Sequence, residues 1–350
     1  MINGFLIEEI DIENKEIMKK VQDFLKQEAL AINDQIDYCA VIYNDEKAII
    51  ATISKYFNTI RYLAVKSEYQ GFNLANRLVS YIIDVIYQAE FNEVFVLTKS
   101  LYLKHFQSLG FHSLYENSNF IFLTNRFDLF QQYLNYLKEQ KQNKKNASIV
   151  ILNANPFTKG HQHLITVASK NSEIVYLILV KEDASLFTYQ ERKEMIKNGT
   201  KALKNVVFLD GSSYLISKST FPSYFLPSKQ VAMIQQTILD ANIFAKYIAP
   251  ALQINKRFLG EEPFSKTTKQ YNETLKKELI SSQIKLEIIP RLKINDTIIS
   301  ATTVRKLFIK GDFEQLALLV PESTLTFLKK LNYLEYQKKI NINQLIEKKH

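Results

Sequence analysis

One cysteine, Cys39, stands in a chain of 350 residues. An intramolecular disulfide is therefore impossible, and a cysteine-based metal site is not expected. Cys39 lies in the apolar stretch "DYCAVIY" and reads as a buried, inert thiol. No apolar run approaches the ~18 residues that suggest a membrane span. The opening "MINGFLIEEIDIENK" has acidic residues where a signal peptide needs an uninterrupted apolar segment. The expectation is a soluble, cytoplasmic protein with no membrane partner. Aromatic and basic residues do not interleave in the manner that marks single-strand binding, so no nucleic acid is expected either. Tryptophan is absent. No internal repeat is found.

What the chain does have is bulk. At 46% hydrophobic residues it is comfortable for two domains, each burying its own core. The net charge of +9 admits anionic ligands, but much of the excess is local. It concentrates in "KEQKQNKK" (Lys138 to Lys145) and in the tail "YQKKINI…IEKKH", both read as solvated surface.

The first part alternates strand and helix signals. "NGFLIEEI" reads as a strand, and "NKEIMKKVQDFLKQEAL" carries Ile17, Val21, Phe24 and Leu25 at helical spacing. "YCAVIYN", "KAIIATISKYF" and "TIRYLAVK" read as three strands, the first two joined by the polar turn "NDEK". "NLANRLVSYIIDVIYQAEF" reads as an amphipathic helix and "EVFVLTK" as a strand. "YLKHFQSLGFH" reads as a short helix ended by Gly110, and "NFIFLTN" as a closing strand. Residues 1–128 form the expected first domain. "RFDLFQQYLNYLKEQKQNKKN" begins helical and turns polar, giving a helical and basic linker over 129–146. From 147 to 350 the pattern restarts with strands "SIVILN", "EIVYLILV", "NVVFLDG", "KYIAPAL", "KRFLGE" and "KLEIIPR". Continuous apolar strands between helices imply a parallel sheet covered on both faces.

The chemistry concentrates in "NANPFTKGHQHLI", Asn153 to Ile165, between a strand and a helix. Ligands bind such sheets at the carboxyl ends of strands, where a helix N-terminus offers free N–H groups and the positive end of its dipole. Gly160 lets backbone approach a phosphate. Thr158 and His161, three apart, can both face a ligand at the first turn. A protonated imidazole would also stabilise charge on departing pyrophosphate. No Gly-Lys-Ser/Thr follows, so this is not a P-loop. Taken alone, a phosphate site and an ordinary helix start with a surface histidine stand equally. Far downstream, "ISATTVRKLFIKGDF" places Ser300, Thr302 and Thr303 at another helix start. Arg305, one turn in, can reach the same phosphates.

"NPFTKGH" resembles the T/HxGH motif and "ISATTVR" the ISSTxxR motif of the nucleotidyltransferase superfamily. The resemblance implies a Rossmann-like (HUP) parallel-sheet domain. It also implies ATP contacts along Asn153, Asn155, Pro156, Phe157, Thr158, Gly160 and His161, and again at Ser300, Thr302, Thr303 and Arg305. Thr158, His161 and Arg305 become the catalytic residues, and Ala301 replaces one serine of the motif. Gly260, Glu261 and Glu262 stand where that superfamily contacts the nucleoside. Lys181 to Asp183 fit equally a polar cap and a functional loop. "EYQGFNLANRLV" resembles the acyl-CoA loop of GNAT N-acetyltransferases, Q/R-x-x-G-x-G/A, with Gln70 and Ala75 matching the ends of the motif and Gly71 inside the loop. Asn73 replaces a glycine, and asparagine tolerates left-handed backbone. "LYLKHFQSLGF" resembles the later segment beside the pantetheine arm, with Tyr102, Gly110 and Phe111 matching.

The pair of domains, with "STFPSYF", "GEEPFS" and "ISATTVR", resembles the citrate lyase ligase family over almost the whole chain. That resemblance implies an AMP-forming ligase using ATP, acetate and Mg²⁺. Its product is an acetylated thiol on the CoA-like prosthetic group of the citrate lyase acyl carrier subunit. The GNAT-like domain would hold that arm, or would be a vestigial docking module. Two other readings stand: a cofactor-type adenylyltransferase with an accessory acetyltransferase domain, and a non-enzymatic carrier-protein binding module.

Overall fold

A computed structural model describes residues 5–30, 32, 34–181, 185–215, 221–222, 224–226, 228–261, 266–294 and 297–338, without side chains at 229, 266–272 and 297. Glu182, Asp183 and Glu262, and parts of "STFPSYF" and "GEEPFS", lie outside the described residues.

The first unit contains β1 (Ile7–Glu9), α1 (Lys15–Gln27), β2 (Tyr38–Tyr43), β3 (Ile49–Tyr56), β4 (Thr59–Val65) and α2 (Leu74–Gln88). β5 (Phe95–Thr98), α3 (Leu103–Ser108), β6 (His112–Glu116) and β7 (Ile121–Thr124) follow. Its sheet runs β1-β2-β3-β4-β5-β7-β6, antiparallel except at β4 and β5. This is a mixed α/β architecture. The parallel pair is short. Thr59 opposes Phe95 and Ile60 opposes Val96, and the strands then part, although β4 continues to Val65. α2 lays Leu74, Leu78, Ile82 and Ile86 on the sheet, a stripe at i, i+4 spacing. α1 packs Val21, Phe24 and Leu25 against Cys39, Val41 and Tyr62. Cys39 is fully buried, and burial pushes its thiol pKa up.

After the helix α4 (Phe127–Gln140), the second unit holds β8 (Ala147–Leu152), α5 (Lys159–Lys170), β9 (Ile174–Leu179), α6 (Tyr189–Thr200) and β10 (Val206–Asp210). The chain continues through α7 (Lys229–Ile243) and α8 (Ala249–Leu252) to β11 (Lys256–Gly260), α9 (Lys266–Ile280) and β12 (Lys285–Ile289). The ribbon β13 (Lys293–Ile294) and β14 (Thr297–Ile298) leads to α10 (Ala301–Lys310), and α11 (Phe313–Leu319) and α12 (Glu322–Lys330) close the unit. The sheet is wholly parallel, ordered β10-β9-β8-β11-β12. All six side chains of β9 are buried, so both faces are covered. At roughly 1.5–3 kcal/mol per buried large aliphatic chain, these central strands carry much of the unit's hydrophobic stabilisation.

One expected strand is helical. "KYIAPAL" falls in a π-helical turn, Phe244–Ile248, and in α8, which together continue α7. A short apolar run does not distinguish a buried strand from a buried helix, and Pro250 follows the π-helical turn, where the regular helical ladder is already interrupted.

The compact units do not follow one cut in the sequence. Met1–Gln132 groups with Lys218–Leu239, and Tyr133–Ser217 with Asp240–His350. In the first unit Phe221 packs against Phe120, and Tyr224 against Tyr62 with ring centroids 4.2 Å apart. Residues read as a linker form most of α4, whose Phe130, Leu134 and Leu137 are buried. Among the described residues, no helix is long and apolar enough to cross a membrane.

Candidate active site

The strand order makes β8 and β11 parallel neighbours whose following connections run to opposite sides, β8 to β9 and β11 to β12. The crevice outside their carboxyl ends is where doubly wound sheets bind ligands. The loop 153–158 leaves β8 there, and Gly260 and Glu261 end β11 there.

Thr158 is the N-cap of α5 in extended backbone, with φ −118°. Its hydroxyl accepts from the His161 N–H at 3.3 Å, and its own N–H donates to His161 Nδ1 at 3.1 Å. This reciprocal capping box explains the three-residue spacing of the motif. It also sets the tautomer. Nδ1 is an acceptor, so the neutral ring carries its proton on Nε2, leaving one N–H donor. Burial, reinforced by the Arg291 guanidinium, pushes the imidazole pKa down to about 4. The ring is therefore neutral near pH 7, and the protonated imidazole considered from sequence is not its resting form.

Gly160, in the first turn, carries no packing burden. A Cβ there would meet Thr158 Oγ1 at 3.5 Å and Ile299 Cβ at 3.9 Å, ordinary van der Waals contact. The fold does not demand this glycine, although glycine weakens a helix.

Ile299 immediately precedes α10, so that contact puts two helix N-termini side by side. Ser300 caps α10, accepting from the Thr303 N–H at 3.1 Å. Ser300 and Thr303 hydroxyls lie 2.9 Å apart. Arg305 Nη2 donates to Thr302 Oγ1 at 3.1 Å, and Nη1 donates to the Asn155 carbonyl at 2.6 Å. Motifs far apart in sequence thus meet at one place, and Arg305 ties α10 to the loop before α5.

Other expected ligand contacts take structural roles. Phe157 is fully buried and Pro156 is buried, so these two side chains pack into the core. Phe157 packs so tightly on Gly199 that a Cβ there would lie 2.4 Å from the ring. Asn155 Oδ1 accepts from the Phe187 N–H at 3.2 Å. Asn153 Oδ1 accepts from Arg192 Nη1 at 2.7 Å and from Ser185 Oγ at 3.2 Å. Arg192 and Arg291 were not legible from sequence. Arg291 Nε donates to the Glu261 carbonyl at 2.6 Å and lies near enough to act on His161.

The citrate lyase ligase C-terminal domain family matches residues 146–328. A citrate (pro-3S)-lyase ligase of Haemophilus influenzae is 34% identical over 92% of this chain and 98% of its own length. The chain belongs to the citrate lyase ligase family. It is an enzyme, a ligase. The family's representative in Escherichia coli is 33% identical over 93% of both chains. A pantothenate synthetase structure from Thermus thermophilus aligns with TM-score 0.35 and 12% identity, covering 57% of this chain and 81% of that one.

In the first unit of this ligase, the GNAT-type loop follows β4. Gln70 and Gly71 sit in an exposed 3₁₀ turn, Ser67–Phe72. Asn73 has φ +58°, the left-handed backbone for which the related motif uses glycine, and Ala75 lies in the first turn of α2. Tyr102, 45% exposed, precedes α3 just after β5. Both groups therefore stand at the carboxyl ends of the two diverging parallel strands.

Proposed function

We propose that the second unit activates acetate with ATP and that the acetyl group then passes to the thiol of the CoA-like arm on the citrate lyase acyl carrier subunit. An acetate oxygen attacks the α-phosphorus, and the bond to the β-phosphate oxygen breaks. Acetyl-AMP forms and pyrophosphate leaves. The arm's thiolate then attacks the acetyl carbon, its proton having gone to solvent, and AMP departs.

The observation that carries this reading is the meeting of the α5 and α10 N-termini at the β8/β11 crevice, with Arg305 between them. Two sets of free helix N–H groups suit a triphosphate. Neutral His161 offers Nε2–H to a phosphate oxygen, and Thr158 holds that ring in place. Arg305 offers a fork to phosphate. Ser300, Thr302 and Thr303 add hydroxyls, and Gly260 and Glu261 line the nucleoside side. Among the described residues no group of three His, Cys, Asp or Glu could hold a metal ion. A magnesium ion carried by phosphate oxygens and water needs none, and it screens triphosphate charge. In the first unit, Gln70, Gly71, Asn73, Ala75 and Tyr102 bind the arm where β4 and β5 part. ATP use agrees with a cytoplasmic location.

The test is isotope exchange between ATP and pyrophosphate. Exchange should require acetate. A dinucleotide product without acetate dependence would favour a cofactor-type adenylyltransferase, and no exchange at all would contradict the acyl-adenylate route.

A further inference from the structure

α6 buries a charge beside the site. Arg192 is 1% exposed. Its Nη1 donates to the Asn153 carbonyl at 2.9 Å, to Asn153 Oδ1 at 2.7 Å and to the Val180 carbonyl at 3.0 Å. Its Nε donates to the Phe187 carbonyl at 3.1 Å. These acceptors belong to the exit of β8, the exit of β9 and the entrance to α6. Sheet ladders end there, so buried carbonyls need other donors. We propose that Arg192 is a positioning residue of the ATP site, holding Asn153 so that the loop presents Thr158 and His161 at the start of α5. This inference rests on the ATP site proposed above.

The loop is gripped from two sides. Arg192 holds Asn153, and Arg305 holds the carbonyl of Asn155. Between them Ala154 is left-handed at φ +47°, a backbone state that a non-glycine residue keeps only when its surroundings impose it. A lysine cannot replace the arginine. Its ammonium is a single point, whereas the fork reaches Phe187 through one nitrogen and Asn153 and Val180 through another. Arg192 does not touch the nucleotide in this account. It acts through the loop.

The experiment uses the full chain with Arg192→Lys, Asn153→Ala and the double variant. ATP binding is read by calorimetry, and acetate-dependent pyrophosphate exchange gives KM for ATP, KM for acetate and kcat. Thermal melts establish folding. Folded Arg192→Lys should weaken ATP binding and raise KM for ATP about tenfold or more, with KM for acetate unchanged. Asn153→Ala should act in the same direction, because it removes the Oδ1 acceptor and keeps the guanidinium. Both changes act on one loop, so the double variant should be little worse than the worse single one. Simple destabilisation would instead lower kcat through loss of active protein and leave both KM values alone. Wild-type ATP affinity and KM in folded Arg192→Lys would overturn the inference. So would single losses that multiply in the double variant. If Arg192→Lys does not fold, wild-type ATP affinity in folded Asn153→Ala overturns it alone. A wild-type enzyme that binds ATP but shows no acetate-dependent exchange defeats the proposed reaction, and the calorimetric comparison still decides Arg192.

Discussion

At the scale of single residues, His161 couples the site to pH. Its unfolded imidazole titrates near its ordinary value of about 6.5, and the folded one near 4. Between these values the unfolded chain binds the extra proton, so stability falls as pH drops through that window and is flat below it. The ring is partly buried rather than sealed, so the expected loss is about 2 kcal/mol. Urea unfolding at pH 7 and pH 4 should show it in the wild type. His161→Asn, which keeps an acceptor for the Thr158 N–H and does not titrate, should lack it. Catalytically, His161→Ala should slow single-turnover acetyl-AMP formation by roughly 10²-fold, the usual scale for one charge-stabilising donor. Arg305→Lys should weaken ATP binding and leave acetate dependence unchanged at saturating ATP. Unchanged ATP affinity there would detach Arg305 from the phosphates. The helix starts that carry Thr158, His161 and Arg305 were legible because each motif is local in sequence. Arg192 was not, because an arginine in a helix pattern reads as exposed. Only the packed structure brings three carbonyls to it.

At the scale of elements, two glycines in the same unit make opposite predictions. Gly160→Ala meets only ordinary contacts and favours α5, so the free protein should gain ~0.5–1 kcal/mol. Its ATP affinity should fall, because the methyl occupies the space beside the helix start. A stabilised protein with unchanged ATP affinity would remove the ligand from Gly160. Gly199→Ala drives a methyl into the Phe157 ring and should destabilise by roughly 1–3 kcal/mol, measured by thermal melting. Elements with a strong period were legible: α2 shows its stripe, and β8 and β9 show unbroken apolar runs. β6 was missed because "HSLYE" buries only Leu114 and lies at the sheet edge. The two-residue strands of the β13–β14 ribbon are too short to carry a period. "KYIAPAL" failed because so short an apolar run has no period that separates a helix from a strand.

At the scale of the whole molecule, the parallel sheet followed from alternating strands and helices, while its strand order and switch point came only with the structure. The return of Lys218–Leu239 to the first unit did not, since nothing in the composition of "STFPSYF" says which core it joins. A chain shortened to begin near Asn146 would strip Tyr224 of its stacking on Tyr62 and of the Asp34 carboxylate that accepts from its N–H at 2.9 Å. Such a chain should expose apolar surface and melt at lower temperature than the whole protein, as scanning calorimetry and dye binding would show. The division of labour is better tested by point changes at Gln70 and Tyr102. These should slow transfer to the carrier thiol and leave adenylation intact. The central claim is that the crevice between the α5 and α10 N-termini makes an acyl-adenylate from acetate. Its most direct measurement is the incorporation of labelled pyrophosphate into ATP by the full-length enzyme, with and without acetate and with no carrier present. The account predicts rapid label incorporation that requires acetate and is lost in His161→Ala. Incorporation that ignores acetate, or survives intact in a folded His161→Ala protein, would contradict it.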